Sequence, residues 1–361
     1  MRKNLFATTP GIIIVGAVIG LIAVWLQKLG NPANMGICVA CFERDVAGGL
    51  GLHRAAIVQY LRPEIMGLVL GSLAAAIATR EFKPRGGSAP IVRFVLGMIA
   101  AMGALVFLGC PWRAILRLAG GDGNAILGLA GLATGIWFGT LFFKKGYSLG
   151  RSNSQSVVSG ALFPVIAVCL LLLYLIFPQI PDQPHSGPLF YSVKGPGSQH
   201  APFIASLGLA FIIGIFAQRS RFCTMGAFRD LFLFRYTHLF LGLAAMFAAA
   251  FIANALTGGL KFGFEGQPVA HSDFLWNYLG MVTAGLAFAL AGGCPGRQLF
   301  MAGEGDSDAG IFALGMLVGA AMAHNLGTAS SGTGIGVYGM QATILGFAVC
   351  LIIGFVHSKK A

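Results

Sequence analysis

Apolar residues along this chain come in long runs rather than in alternating or striped patterns. Ten runs, near 11–27, 64–79, 91–108, 124–142, 157–177, 203–217, 239–256, 274–291, 309–325 and 335–356, are nearly free of charge. A helix needs about 20 apolar residues to cross a bilayer. The pattern predicts an all-α polytopic membrane protein. The runs at 64–79, 91–108 and 203–217 hold cores of only about 15 uncharged residues, short of a hydrocarbon core near 30 Å at about 1.5 Å per residue. Tilt, or short helices meeting a thinned protein centre, makes up the difference. Residues 2–27 start with Arg2 and Lys3 ahead of an apolar run, as a signal peptide does. No small-residue cleavage site follows, so this segment is read as the first helix.

Of the 361 residues, 56% are hydrophobic and 10% charged, against about 45–50% and about 25% for soluble domains. A water-soluble single domain is excluded. The net charge of +12 would suggest nucleic acid in a soluble protein, but beside these runs it speaks to topology. With the N-terminus in the cytoplasm, 16 of the 24 Lys and Arg lie on the inner side, as the positive-inside rule requires. Ten spans then place both termini in the cytoplasm, although Lys28, Arg44, Arg54 and Arg62 fall outside. No G-x-x-x-x-G-K-[ST] loop occurs, and no polar stretch is long enough for a nucleotide-binding domain, so the chain holds no ATP-driven pump. The one long hydrophilic stretch, 178–202, is rich in Pro and Gly and is read as an outward-facing linker.

The linker separates two copies of one pattern. Cys38 is followed by Arg44, Asp45 and His53 at offsets of 6, 7 and 15, and Cys223 by Arg229, Asp230 and His238 at the same offsets. Cys110-Pro111-Trp112-Arg113 leads to Asp122, and Cys294-Pro295-Gly296-Arg297 to Asp306, each twelve residues on. The two cysteines of a copy are 72 and 71 residues apart. Each copy, 1–177 and 203–357, carries five spans. An odd number makes the second enter the membrane from the opposite side, which gives inverted repeats with short half-helices or re-entrant cysteine loops meeting near the membrane centre. Cys38 and Cys110 then approach from outside, Cys223 and Cys294 from the cytoplasm.

In the C-P-x-R segments, proline suits the first helical position, which puts Cys110 and Cys294 at helix N-caps. There the helix dipole, with Arg113 or Arg297 one turn in, raises thiolate character and anion affinity; otherwise the cysteine is simply small enough for a tight turn. Arg44 with Asp45, and Arg229 with Asp230, are adjacent in sequence and are expected to face different neighbours, drawing an anion or tying a half-helix to its repeat mate. Asp122 and Asp306 join them as supporting charges. Cys38 and Cys41 form a C-x-x-C, but Gly226 stands where the second copy would need its partner, so Cys41 is auxiliary. Cys169 and Cys350 lie within apolar runs and are expected to be buried small hydrophobes. His53 and His238 repeat in register without clustered partners, which favours capping or packing over a metal. No metal or other cofactor is expected.

The segments R-F-C-T-M-G-A-F-R-D at 221–230, G-C-P-W-R-A-I-L-R-L-A-G-G-D at 109–122 and G-G-C-P-G-R-Q-L at 292–299 resemble the YeeE/YedE family, and the likeness covers nearly the whole chain. G-N-P-A-N-M-G-I-C-V-A-C-F at 30–42 is similar to its YedE-type selenium transporter branch, whereas other branches carry thiosulfate. The resemblance implies a bacterial inner-membrane protein that takes up inorganic sulfur species, with path cysteines contacting the substrate through S–H···S interactions. By position these are Cys110 and Cys294, with Cys38 and Cys223 completing the set. It also implies a cytoplasmic TusA/SirA-like sulfur carrier as partner.

The reading that follows is a transporter or channel, not an enzyme, moving thiosulfate or a selenium compound from periplasm to cytoplasm along thiols that are soft enough to hold and release it. Two alternatives stand beside it. A membrane thiol–disulfide oxidoreductase using Cys38 and Cys41 explains the C-x-x-C but not the duplicated C-P-x-R. A scaffold for a sulfur carrier leaves the membrane thiols unused, and its long polar loop is on the wrong side.

Overall fold

The computed structural model describes residues 5–359. Among them run fourteen α-helices: α1 (Thr9–Lys28), α2 (Val39–Gly49), α3 (Pro63–Ala78), α4 (Pro90–Phe107), α5 (Pro111–Ala119), α6 (Asn124–Lys144), α7 (Val157–Ile176), α8 (Phe203–Ser220), α9 (Thr224–Phe234), α10 (His238–Leu256), α11 (Phe274–Ala291), α12 (Pro295–Gly303), α13 (Ser307–Asn325) and α14 (Gly339–Val356). The remaining regular structure among the described residues is two 3-10 turns, Leu5–Ala7 and Pro196–Ser198, and two antiparallel pairs of two-residue strands, Arg85–Gly86 with Asn153–Ser154 and His185–Ser186 with Leu189–Phe190. The chain is an all-α polytopic membrane protein: among the described residues nine helical segments are long and apolar enough to cross a bilayer, and α3, at 16 residues, is shorter but also apolar.

Each of the ten apolar runs is a helix. The last starts at Gly339 rather than near 335, because Asp273 Oδ2 accepts the Ile335 N–H at 2.8 Å and Gly334 takes φ 142°, which holds 331–338 in turns. Four helices are short, 9 to 11 residues, and each starts directly after a cysteine: α2 after Cys38, α5 after Cys110, α9 after Cys223, α12 after Cys294.

In chain order α1–α7 and α8–α14 follow one scheme of long and short helices. The most extensive packing pairs α1 with α10, α3 with α8, α4 with α13, α6 with α11, and α4 with α11. Exchanging the two sets helix for helix turns each of these pairings into another of the same group, or into itself. The corners match as well. The segment after α3 bonds the end of α12, through Lys83 N–H to Glu304 O (2.9 Å) and Arg85 N–H to Gly305 O (3.1 Å). The segment after α10 does the same at the end of α5, through Lys261 N–H to Gly120 O (2.9 Å) and Gly263 N–H to Gly121 O (3.1 Å). Only α7 and α14 break the scheme, α7 lying on α3 and α14 on α11 and α4.

Backbones approach closely where glycine removes the side chain. A Cβ on Gly16 would sit 1.9 Å from Gly242 O between α1 and α10, and one on Gly71 would sit 2.0 Å from Phe211 O between α3 and α8. The 178–202 segment folds onto the loop between α2 and α3: Ser192 N–H donates to Gln59 O and Gly197 N–H to Ile57 O, both at 2.8 Å.

Candidate functional site

The four helix-starting cysteines gather in two groups. Cys38 Sγ accepts the Cys41 N–H at 3.4 Å and the Cys110 N–H at 3.5 Å, which locks the start of α2 against the start of α5. Cys110 Sγ in turn faces the amides of Ala40 and Arg113. In the second group, Cys223 Sγ accepts the Gly226 N–H at 3.2 Å and lies within hydrogen-bond reach of Cys294. Cys294 Sγ faces the amides of Thr224 and Arg297. Each group is thus a crossing of two short-helix N-termini, where unpaired amides and the positive ends of two dipoles converge on sulfur. The thiols of Cys38, Cys41, Cys110, Cys223 and Cys294 are free and at most 6% exposed.

Arg113 does not point at open space. Its guanidinium donates to the carbonyls of Leu108, Asn34 (3.3 Å), Pro268 (3.3 Å) and Val269 (3.0 Å), and to Cys41 Sγ at 3.5 Å. Among the described residues no carboxylate lies within ion-pair distance of it. A positive charge held by carbonyls and one thiol, with no carboxylate in reach, therefore sits beside the first thiol group. Its counterpart Arg297 is different: it pairs with Glu304 at 3.2 Å and keeps some exposure.

Glu304 belongs to a cluster at the end of α12. It also takes Arg221 at 2.9 Å and Arg85 at 3.6 Å, while Glu81 binds Arg219 at 2.9 Å and Arg221 at 3.2 Å. Arg221, 49% exposed, opens this cluster to the surface. The charges around the first thiol group are buried instead.

The expectation that Arg44 and Asp45 face different neighbours is corrected. Arg44 folds back on Asp45 (Nε 2.9 Å, Nη2 2.7 Å), and Arg229 does the same to Asp230 (2.9 and 2.8 Å). The guanidinium stem is long enough to reach its neighbour's carboxylate, and burial makes that pairing necessary for Arg44. Asp45 also takes Arg62 Nε at 2.8 Å, a residue outside the repeated motif. Asp122 binds Arg117 at 2.6 Å and the Asn124 N–H at 2.9 Å. Asp306 binds Arg85 at 2.7 Å and caps α13 through the Ala309 N–H at 3.0 Å. These two aspartates hold the turns that end the short helices and touch no thiol.

His53 accepts the Ala55 N–H, lies 3.0 Å from Arg44 O and packs against His324 with ring centroids 4.6 Å apart. His238 starts α10, 3.3 Å from Thr9 Oγ1. Among the described residues no group of three His, Cys, Asp or Glu is placed to hold a metal. Cys350 is buried, but Cys169 is exposed on α7, because that helix turns most of its surface away from the rest of the protein.

Sequence reasoning missed Arg62, Arg117, Arg221 and Glu304. It also missed Trp112, which follows Cys110 on α5 and packs on the elements of the second group, edge-on to Phe222 at 5.7 Å and tilted against Phe300 at 5.9 Å. One signal was present in the sequence: Trp112 and Gly296 occupy matching places two residues after their cysteines, and the largest residue in one copy faces the smallest in the other.

Residues 219–355 match the family model described as Sulphur transport. Over 106 residues, 29% of this chain, the sequence is 32% identical to the thiosulfate transporter TsuA of Spirochaeta thermophila. The aligned stretch spans 32% of that relative's length. The matched residues 219–355 include Cys223 and Cys294, so the second half of the chain is similar to sulphur transport proteins in the part that carries one thiol group.

Proposed function

We propose that this protein carries a small sulfur anion, thiosulfate foremost, from the outer to the inner face of a bacterial inner membrane, with both termini in the cytoplasm. The two helix sets, 1–177 and 203–357, act as inverted halves around the path. Cys38 and Cys110 receive the substrate on the side of the 178–202 linker, and Cys223 and Cys294 pass it on; Cys41 tethers Arg113. The carrying observation is the pair of buried thiol groups, each at a crossing of two short-helix N-termini. Dipoles and the carbonyl-held Arg113 favour an anion. Weakly hydrogen-bonding thiols contact a terminal sulfur, or a selenium in its place, without holding it too tightly to leave.

The arginines around Glu304, with Arg221 49% exposed, form the inner mouth, where a TusA/SirA-like carrier would collect the substrate. The cluster there is more open to water than the buried ion pairs near Cys38, which suits an anion leaving toward the side rich in Lys and Arg. The test is accumulation of ³⁵S-labelled thiosulfate in proteoliposomes of the purified protein against protein-free vesicles. Accumulation above the protein-free level is expected, and none under any imposed ion gradient would overturn the reading.

A further inference from the structure

Two buried polar groups on the thiol-bearing elements have no partner among the described residues. The Nε1–H of Trp112, a residue 1% exposed, finds no acceptor among the described residues, and neither does the hydroxyl of fully buried Thr224. Both belong to the thiol-bearing elements: Trp112 is the second residue of α5, and Thr224 the first of α9, with its amide facing Cys294 Sγ. The indole is also aimed. A Cβ on Gly296 would meet Trp112 Cζ2 at 3.2 Å and Cε2 at 3.4 Å, and Nε1 is bonded to Cε2. The edge that carries the N–H therefore lies against Gly296, the second residue of α12, with Phe222 and Phe300 fixing the ring.

Buried indole N–H and hydroxyl groups in folded proteins nearly always find partners. A phenylalanine at 112 and a valine at 224 would fill these places without orphaned donors. We infer that Trp112 and Thr224 form an oxygen-binding subsite at the constriction between the thiol groups, for a substrate with a sulfonate-type head and a soft terminal atom. The inference rests on the proposed transport function and narrows its substrate class. The thiols meet the terminal sulfur or selenium, while the N–H and O–H donate to the head's oxygens. Oxygen-free chalcogenides make only the first set of contacts. The wide indole facing Gly296 also makes Trp112 the barrier a substrate displaces to pass from one thiol group to the other.

The test is uptake kinetics in proteoliposomes for Trp112→Phe, which keeps a flat apolar ring but loses the N–H, and for Thr224→Val and Thr224→Ser. The KM for thiosulfate is expected to rise about tenfold or more in Trp112→Phe and severalfold in Thr224→Val. Thr224→Ser restores it, and Vmax changes less than KM. In a second readout, with Trp25, Trp137 and Trp276 replaced by Phe, the emission of the remaining indole shifts on adding thiosulfate. Wild-type uptake with unchanged KM in both Trp112→Phe and Thr224→Val overturns this inference and leaves the transport function standing. If Trp112→Phe fails to fold, the Thr224→Val and Thr224→Ser pair decides by the same criterion. Absence of wild-type uptake overturns both.

Discussion

The repeated Arg-Asp pair offers a comparison built into the chain, because the same two residues sit in unlike surroundings. In the first copy, Asp45 takes three N–H groups, Arg44 Nε at 2.9 Å and Nη2 at 2.7 Å and Arg62 Nε at 2.8 Å, with all three side chains at most 2% exposed. Asp45→Asn keeps the shape and removes the charge, leaving two buried guanidiniums with no carboxylate in reach. Breaking such a network costs about 3–5 kcal/mol. In the second copy, Arg229 is 37% and Asp230 15% exposed, and a hydrated pair of that kind contributes about 0–1 kcal/mol. At about 2 °C per kcal/mol for a chain of this size, Asp45→Asn lowers the melting temperature by roughly 6–10 °C and Asp230→Asn by at most about 2 °C. Thermal unfolding of the detergent-solubilised protein, followed by intrinsic fluorescence or circular dichroism, measures both. Equal shifts, or a loss of less than about 2 °C in Asp45→Asn, would refute the argument that burial rather than motif sets the strength of these pairs.

Close helix packing makes a second contrast: Gly71→Leu, which drives a side chain into Phe211 O, is expected to abolish accumulation of folded protein, whereas Gly208→Leu, with nothing within 4 Å, leaves the size-exclusion profile unchanged. Glu304→Gln frees Arg221 and Arg297 from their shared carboxylate, so an anion is held longer at that mouth and both KM and Vmax for thiosulfate uptake fall severalfold; unchanged kinetics would contradict this role. His271, in the loop after α10, places Nε2 2.7 Å from Val106 O and accepts the Asp273 N–H, and burial holds its pKa below the ordinary 6.5. The unfolded chain therefore takes up this proton first, so the neutral ring's stability is fully present above pH 6.5 and is lost as pH falls below it. The melting temperature of the wild type should drop more steeply between pH 7 and 5 than that of His271→Gln, and parallel slopes would count against it.

The long helices were legible because hydrophobic run length is a local property, and two of the short ones, α5 and α12, because Cys-Pro marks a helix start in the linear sequence. What packing decides was not. Arg113 is held by carbonyls at 34, 108, 268 and 269, and backbone acceptors leave no trace in residue type. Arg44 and Asp45 were expected to look apart because adjacent helical positions diverge, but a long guanidinium stem overcomes that divergence when burial leaves no water to satisfy it. Cys169 was expected to be buried because apolar runs look alike whether a helix faces protein or lipid. Trp112 gains its place only where the two helix sets meet, so one copy read alone gives no hint of it.

Transport as proposed requires sulfur to pass along the two buried thiol groups. The most direct test is ³⁵S-thiosulfate uptake into proteoliposomes by the wild type, Cys110→Ala and Cys294→Ala, with melting temperatures confirming that each variant is folded. The account predicts that either substitution alone abolishes uptake in a folded protein, since each removes a thiol from a different group on one path. Full uptake in both single variants would contradict it.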